Sequence, residues 1–506
     1  MNLTHYILEQ AQRLETKTAI FQGENTLSFS ELNSHVLKLI SKIDNLSLEP
    51  EAKIMIVADN SPFFIISYLA IIGSGRVAVP IHHQFGESNF KYVIESCNIK
   101  CFFLQKKYIK KLAKFNLPLE LILTDQDVEG YENIFTLTTT EGTIYPINNP
   151  KQRLAILIFT SGSTGTPKGV MQTHQNIMVN SNSIIEYLGL QESDRVMAVL
   201  PFSYCFGTSL LHTHLRVGGS VVLNNHFMFP GKVLKEINQK ECTVFAGVPS
   251  TYQILLRRSA LKQMKFPTLR IAQQAGGKLA NAFIQELRQA LPTTEIFIMY
   301  GQTEATARLS YLPPSLLDKK LGSIGKGIPN TTLSVVNKNG QPIKPGEIGE
   351  LVASGENITL GYWQDPETTA KSFRNGKLYT GDIGTIDEEG FIFLTDREKN
   401  ILKVGGFRVS PKEVEDYIAQ LDEVVEVGII GIPDDILGEA MKAYVSLKGE
   451  TKLDADQITT YCKAHFPNHK IPKEYEFLPS LPKNNSNKLD KVKLKQMDKK
   501  TRGSSE

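Results

Sequence analysis

Through its first 300 residues the chain alternates short runs of apolar and β-branched residues with longer helical patterns, which restricts the fold to a layered α/β architecture with largely parallel sheets. Lys53-Ile54-Met55-Ile56-Val57-Ala58 predicts a strand followed by a helix from Ser61, and Val77-Ala78-Val79-Pro80-Ile81 predicts the next strand. Arg195-Val196-Met197-Ala198-Val199-Leu200, Ser220-Val221-Val222-Leu223 and Cys242-Thr243-Val244-Phe245-Ala246 repeat the theme. From Asn330 to Leu394 the texture changes to short strands separated by Asn339-Gly340, Pro345-Gly346, Asn375-Gly376 and Glu389-Gly390, which are hairpin signals and imply a β-rich subdomain. After Asp396 a smaller α+β unit begins with a helix in which Ser410 can cap and Pro411 occupies the first turn. The expected organisation is a large N-terminal domain over 1–395, a small mobile C-terminal domain over 396–506, and a hinge near 396–400.

Thr160-Ser161-Gly162-Ser163-Thr164-Gly165-Thr166-Pro167-Lys168-Gly169 directly follows the apolar run Ala155-Ile156-Leu157-Ile158-Phe159. A strand feeding a phosphate loop is expected, because glycines let backbone N–H groups turn toward an anion, hydroxyls add donors without bulk, and Lys168 supplies a point charge. The spacing differs from that of P-loop NTPases, which would need glycine where Pro167 sits. By composition alone the segment would equally suit a flexible linker.

The run T-S-G-S-T-G-x-P-K-G resembles the signature of the adenylate-forming superfamily, which comprises acyl-CoA synthetases, stand-alone peptide-synthetase-type adenylation enzymes and luciferases. Further elements follow in that family's order: Tyr300-Gly301-Gln302-Thr303-Glu304, Tyr379-Thr380-Gly381-Asp382, Asp396-Arg397-Glu398-Lys399, Lys403-Val404-Gly405-Gly406-Phe407-Arg408-Val409, and Lys488 after Asn484-Asn485-Ser486-Asn487. The likeness covers roughly residues 20 to 495. It implies ATP-dependent activation of a carboxylic acid as an acyl-adenylate with release of pyrophosphate, then transfer to a pantetheine thiol. ATP would be bound by Thr160, residues 161–165, Lys168, Gly277, Tyr300, Gly301, Asp382 and Arg397, with Tyr300 stacking on adenine and Asp382 accepting from ribose hydroxyls. Thr303 would contact the α-phosphate and Glu304 would hold Mg²⁺. Lys488 would bridge carboxylate and phosphate oxygens during adenylation. Lys399 falls at the hinge, so Lys403, Gly405 and Gly406 would reach the site only after rotation, the glycines lining a thiol channel. Where the family usually has glycine before the catalytic lysine, this chain has Asn487, which tolerates the left-handed conformation better than other non-glycine residues.

Composition bounds the partners. A net charge of +3 argues against a dedicated nucleic-acid binder. The basic tail from Lys483 to Arg502 reads, apart from Lys488, as a solvated terminus. Five cysteines without C-x-x-C pairing indicate neither a disulfide framework nor a zinc site, and a reducing, cytoplasmic setting fits. No signal sequence is legible, and the run from Phe63 to Gly73 is too short for a bilayer, which needs about 20 residues, so it reads as a buried helix. His212 and His214 lack a third ligand candidate and would splay apart on a helix. Trp363 reads as a packing residue.

The acyl pocket implied by the resemblance contains Tyr204, Cys205, Ser209, Tyr252, Gln273, Gln274, Ala275, Met299 and Arg308. Cys205 stands where amino-acid-activating domains usually have an aspartate, which weakens an amino-acid reading because a buried ammonium wants a partner charge. The mixture is polar for a long fatty-acid tunnel. A compact, partly polar acid is therefore favoured. Two acceptors stay open, coenzyme A or a holo carrier protein acting in trans; the second would make this a loading enzyme for proline or an aryl acid in natural-product biosynthesis. A luciferase-like oxygenase and a non-catalytic nucleotide-binding protein are further alternatives.

Overall fold

The structure, a computed structural model, describes every residue of the chain except 116, 118–120, 161–165, 226, 398–399, 450 and 504–506. Among the described residues the strands form three sheets. In the first, Glu132–Asn133, Leu121–Thr124, Cys101–Leu104, Lys53–Val57, Val77–Pro80 and Leu154–Thr160 run parallel, and Lys168–Thr173 closes one edge antiparallel to Leu154–Thr160. The helix Pro62–Gly73, capped by the Ser61 hydroxyl on the Phe64 N–H, is buried along its length from Phe63 onward. Its apolar residues alternate with no polar face, so it lies inside rather than on the domain.

The second sheet is parallel through Thr18–Gln22, Ser220–Leu223, Arg195–Ala198, Val244–Gly247, Ile271–Gln274 and Glu295–Tyr300. It then turns antiparallel and continues without a break through Ser310–Leu312, Ser323–Gly327, Ile392–Arg397, Lys377–Ile386, Gly349–Gly355 and Thr331–Val336. The β-rich region is thus a hydrogen-bonded extension of the α/β layer, with a core of its own that includes Ile324, Val335, Leu351 and Leu378. Its hairpin signals work as expected: Asn375 and Gly376 both take positive φ, 52° and 71°, and form the two-residue turn joining Phe373–Arg374 to Lys377–Ile386.

The third sheet belongs to the small C-terminal unit: Phe407–Val409, Leu402–Val404, Gly438–Leu447 and Val424–Asp434, with Glu474–Phe477 added parallel to Gly438–Leu447. Two sequence expectations are corrected here. Ser410 stands at the N-cap of Pro411–Ile418, but its hydroxyl does not cap; it donates to Asp396 Oδ2 at 2.8 Å, tying the helix start back to the strand Ile392–Arg397 of the second sheet. The basic tail is not merely solvated. Leu494 is fully buried, and Lys483 pairs with Glu426, Lys491 with Glu415 at 2.6 Å, Asp498 with Lys442 at 2.9 Å, and Arg502 with Glu474 at 2.7 Å. Alternating charges that face partners on the sheet dock it, which a count of lysines along the sequence does not reveal.

The helix Pro249–Arg258 of the large domain holds the small one at three points. Ser250 Oγ donates to the Asn487 carbonyl at 2.6 Å, Arg257 Nε to the Val424 carbonyl at 3.3 Å, and Arg258 Nη2 to Ser446 Oγ at 2.7 Å and the Pro479 carbonyl at 2.6 Å. Arg257, whose side chain is fully buried, also forms a fork-to-fork pair with Glu286. Arg257→Met is expected to cost about 1–3 kcal/mol, because it takes the donor from the Val424 carbonyl and leaves Glu286 with Lys262 alone, 2.8 Å away. Thermal unfolding together with protease sensitivity near residue 400 checks this; an unchanged melting temperature would contradict it.

Candidate active site

The parallel strands Val244–Gly247, Ile271–Gln274 and Glu295–Tyr300 deliver their C-terminal ends to one crevice, the usual place for a ligand in such sheets. Beyond Ile271–Gln274 the chain turns at Gly276, where φ is +88°. A Cβ there would lie 2.9 Å from Lys488 Cε, so the absence of a side chain makes room for the lysine arriving from the small domain. Lys488 is presented by a tight turn in which Asn487 takes φ +60°, as its tolerance of the left-handed region predicts, while Asn484 Oδ1 accepts from the N–H groups of Ser486 and Lys488 at 3.0 and 3.1 Å. The glycine under Lys488 is Gly276, whereas the named Gly277 gives its carbonyl to Gln274 Nε2 at 2.8 Å.

Cys205 begins the helix Cys205–Arg216 and marks where several charges converge. Its Sγ lies 3.4 Å from Thr303 Oγ1. Burial pushes the thiol up, Lys488 and Arg308 pull it down, and Glu304 opposes them, so all three charges lie within reach of one sulfur. Thr303–Ala305 forms one turn of 3₁₀ helix and is followed by Thr306 at φ +68°, ψ −64°. With the Ala307 N–H on the Ala305 carbonyl at 2.8 Å this is a classical-sense γ-turn, strained by about 1–3 kcal/mol for a β-branched residue. Gln172 holds it, its Nε2 donating to the carbonyls of Thr303 at 3.2 Å and Thr306 at 3.1 Å, and Thr306 Oγ1 donates to the Asn357 carbonyl at 2.7 Å. Gly301 lets the turn fold back, since a Cβ there would sit 2.1 Å from the Ala307 carbonyl oxygen.

Glu304 Oε1 accepts from the Tyr362 hydroxyl at 2.7 Å, and Lys168 Nζ stands 5.3 Å above the same ring and 3.4 Å from Thr368 Oγ1. Tyr362 therefore links Lys168, which follows the expected phosphate loop, to the acid of the 300–304 element. Thr160 ends its strand with Oγ1 near the Lys168 carbonyl, 3.5 Å away; Ser161, Gly162, Ser163, Thr164, Gly165 and Lys399, expected at the hinge, lie outside the described residues. Tyr300 donates its hydroxyl to Asp382 Oδ2 at 2.6 Å, both residues being buried, and Arg397 is the strand partner of Asp382. Among the described residues no group of three or more His, Cys, Asp or Glu side chains forms a metal cage. A single carboxylate such as Glu304 nevertheless fits Mg²⁺, which takes most of its ligands from polyphosphate and water.

On the pocket side, Tyr204 is pushed up by burial and hydrogen-bonds Asn485 of the small domain, with the His82 ring 6.2 Å away. Ser209 turns back to the Phe206 carbonyl at 2.7 Å, and Tyr252 is fully buried with its hydroxyl on the Gln273 carbonyl at 2.8 Å. Met299 Sδ accepts from the Tyr187 hydroxyl at 3.0 Å, and Ala275 is buried. Both amide ends of Gln273 are buried and meet no hydrogen-bond partner among the described residues, and Gln274 Oε1 is likewise without one. Arg308 is 1% exposed, with its guanidinium 3.9 Å over the Phe206 ring. Lys403, Gly405 and Gly406 are not gathered with Lys488; they sit exposed on the hairpin of Leu402–Val404 and Phe407–Val409, the glycines at φ +56° and +84°. His212 and His214 serve the core, one on the Tyr68 hydroxyl at 2.7 Å and the other on the Leu210 carbonyl at 2.9 Å, and burial holds their pKa values down to about 3 and about 4. Trp363 packs as expected, its indole N–H on the Ser96 carbonyl at 2.9 Å.

Sequence reasoning missed Tyr362, Gln172 and Gly276. The only signals were a tyrosine beside the singled-out Trp363, an otherwise ordinary glutamine in an edge strand, and a second glycine next to the one named.

The sequence matches the AMP-binding enzyme family over residues 7–363 and the AMP-binding enzyme C-terminal domain over residues 413–488. A long-chain-fatty-acid–CoA ligase of Bacillus subtilis is 27% identical over 97% of this chain and 94% of its own, and a 2-succinylbenzoate–CoA ligase of Bacillus licheniformis is 29% identical over 98% and 100%. Among solved structures, the anthranilate CoA ligase AuaEII in complex with anthranoyl-AMP superimposes with a TM-score of 0.89 at 26% identity, covering 99% of this chain and 98% of that one. The o-succinylbenzoate CoA synthetase of Bacillus subtilis in complex with its acyl-adenylate gives 0.85 at 27%, covering 97% and 98%. With its two family domains in order and its crevice built as described, the chain belongs to the AMP-binding enzyme family, the adenylate-forming superfamily of acid–thiol ligases.

Proposed function

We propose that this protein activates a compact carboxylic acid with ATP and passes the acyl group to coenzyme A. The observation that carries the reading is the seat of Lys488: the small domain threads it onto Gly276, beside Cys205, Thr303 and Glu304. There its ammonium can pair with the substrate carboxylate and the α-phosphate together as charge builds between them, the kind of preorganised donor that lowers a barrier most. In the first half-reaction a carboxylate oxygen attacks the α-phosphorus, the bond to the bridging oxygen breaks, and pyrophosphate leaves. In the second, the thiolate attacks the acyl carbon and AMP leaves.

Thr303 would contact the α-phosphate, Lys168 and the loop at 161–165 the polyphosphate, and Asp382 and Arg397 the ribose. Tyr300, whose hydroxyl fixes the Asp382 carboxylate, would hold its ring for adenine. Glu304, oriented by Tyr362, would hold Mg²⁺, which when bound neutralises charge on the departing pyrophosphate. Lys403, Gly405 and Gly406 would belong to a second placement of the small domain, pivoting at 396–400, in which their hairpin replaces the Lys488 turn at the crevice. Coenzyme A is favoured as acceptor because the similar curated proteins are named CoA ligases. An amino acid is disfavoured as substrate because the thiol of Cys205, where an ammonium would need an anion, is flanked by Lys488 and Arg308.

ATP–pyrophosphate exchange across amino, aryl, dicarboxylic and short to long fatty acids is expected to respond to a narrow set of acids, with CoA ester formed from the same ones. ATP binding without exchange for any acid would favour a nucleotide-binding protein, and transfer only to a holo carrier protein would replace CoA as acceptor. Lys488→Ala is expected to slow adenylation about 10²–10³-fold, and adenylate formation at the parental rate would remove its assigned role. Lys403→Ala is expected to spare exchange and slow thioester formation; equal loss in both halves would contradict two placements of the small domain.

A further inference from the structure

Arg308 follows the strained turn at Thr306 and is 1% exposed. Its guanidinium has three nitrogens in fixed positions. Nη1 donates to the Ala307 carbonyl at 3.3 Å, while Nε and Nη2 are buried and meet no hydrogen-bond acceptor among the described residues. The Tyr187 hydroxyl, which gives its hydrogen to Met299 Sδ, stands beside the guanidinium as an uncharged acceptor, and among the described residues no carboxylate pairs with it. Nε and Nη2 lie along one edge of the guanidinium, and that edge matches the two oxygens of a carboxylate side-on. The opposite resource is also used: one ring face rests 3.9 Å over Phe206, which begins the pocket helix together with Cys205. A buried cation with its bidentate edge unfilled is rare in a folded chain, because leaving such donors dry is unfavourable unless a ligand completes them.

Arg308 stands over Phe206, the neighbour of Cys205 in one helix, and Lys488 rests at Gly276; both cations bear on the Cys205 thiol from the same crevice. An acid with its reacting carboxylate at Lys488 would bring a group on a short spacer to Arg308. We propose that Arg308 is a specificity-determining residue whose open Nε/Nη2 edge receives a second carboxylate, so that the substrate class is compact dicarboxylic acids. This rests on the acid-activating reading above.

The test uses pairs: α,ω-dicarboxylic acids of three to eight carbons and the benzenedicarboxylic acids, each against its monomethyl ester, which keeps the shape and removes the distal charge. Exchange kinetics are measured for the full chain and for Arg308→Met and Arg308→Lys. In parallel, non-hydrolysable acyl-sulfamoyl-adenosine mimics of the same pairs are titrated by calorimetry, a readout that needs no turnover. At least one diacid is expected to exceed its ester by about 30-fold or more in kcat/KM and in mimic affinity. Arg308→Met should abolish that preference without changing AMP affinity, and Arg308→Lys, which keeps charge but not the fork, should retain only part of it.

Equal use of diacid and ester by the parental enzyme, or the same preference in Arg308→Met, overturns the proposal. Exchange that is brisk but blind to the distal group sinks this inference and leaves acid activation standing. Mimics discriminated by distal charge without exchange from any acid would do the reverse. Should Arg308→Met fail to fold, the comparison of diacid with ester on the parental protein and Arg308→Lys still decides.

Discussion

One contact organises the crevice: a lysine from the small domain lying against a glycine of the large one. Lys488 reaches Gly276 only because Asn487 accepts the left-handed conformation, Asn484 ties the turn from within, and Ser250 fastens it from across the seam. A Cβ at Gly276 would press on Lys488 Cε at 2.9 Å and on Val248 at 3.0 Å, so the lysine would have to shift. The surrounding groups take their meaning from that seat. Thr303 is aimed by a strained turn that Gln172 and Asn357 restrain, Glu304 by Tyr362, and Asp382 by Tyr300. None of these restraints is large singly. Together they fix polar groups before any ligand arrives, which is how a site spends folding energy on chemistry.

Much of this was legible in the sequence because it is local. Strand runs such as Lys53–Val57, the capped helix after Ser61, the Asn375-Gly376 turn and the conformation of Asn487 follow from what a few neighbouring residues can do. The ordered motifs identified the family for the same reason, since each packs its chemistry into a short stretch. What escaped was set by distant partners. Ser410 looked like a cap but found Asp396, and a tail rich in lysine looked solvated until Glu415, Glu426, Lys442 and Glu474 met it. The β-rich region was expected as a subdomain of the large domain, but its continuity with the α/β sheet was not legible, because a change from parallel to antiparallel pairing alters local pattern without breaking the sheet.

The pocket shows the same division. The family resemblance placed Arg308, Gln273 and Cys205 in its wall, and their polarity suggested a polar acid, but no sequence states which of a guanidinium's donors are left over. That depends on Ala307, Phe206, Tyr187 and Met299 all competing for the same few ångströms. Burial lowers the affinity of Arg308 for its proton and raises that of Cys205, so an uncharged thiol faces the guanidinium and offers it no counter-ion.

The seam along Pro249–Arg258 has a further consequence. Its polar fastening points, hydroxyls, carbonyls and guanidinium groups, are set in one apolar cluster that runs from the large domain into the small one. Water can satisfy the polar groups on either side once they part, but separation also uncovers apolar side chains that resist it. A joint of this kind is set by burial as well as by bonding, and because the bonds end on uncharged carbonyls and a hydroxyl, dissolved salt screens little of what keeps Lys488 in place.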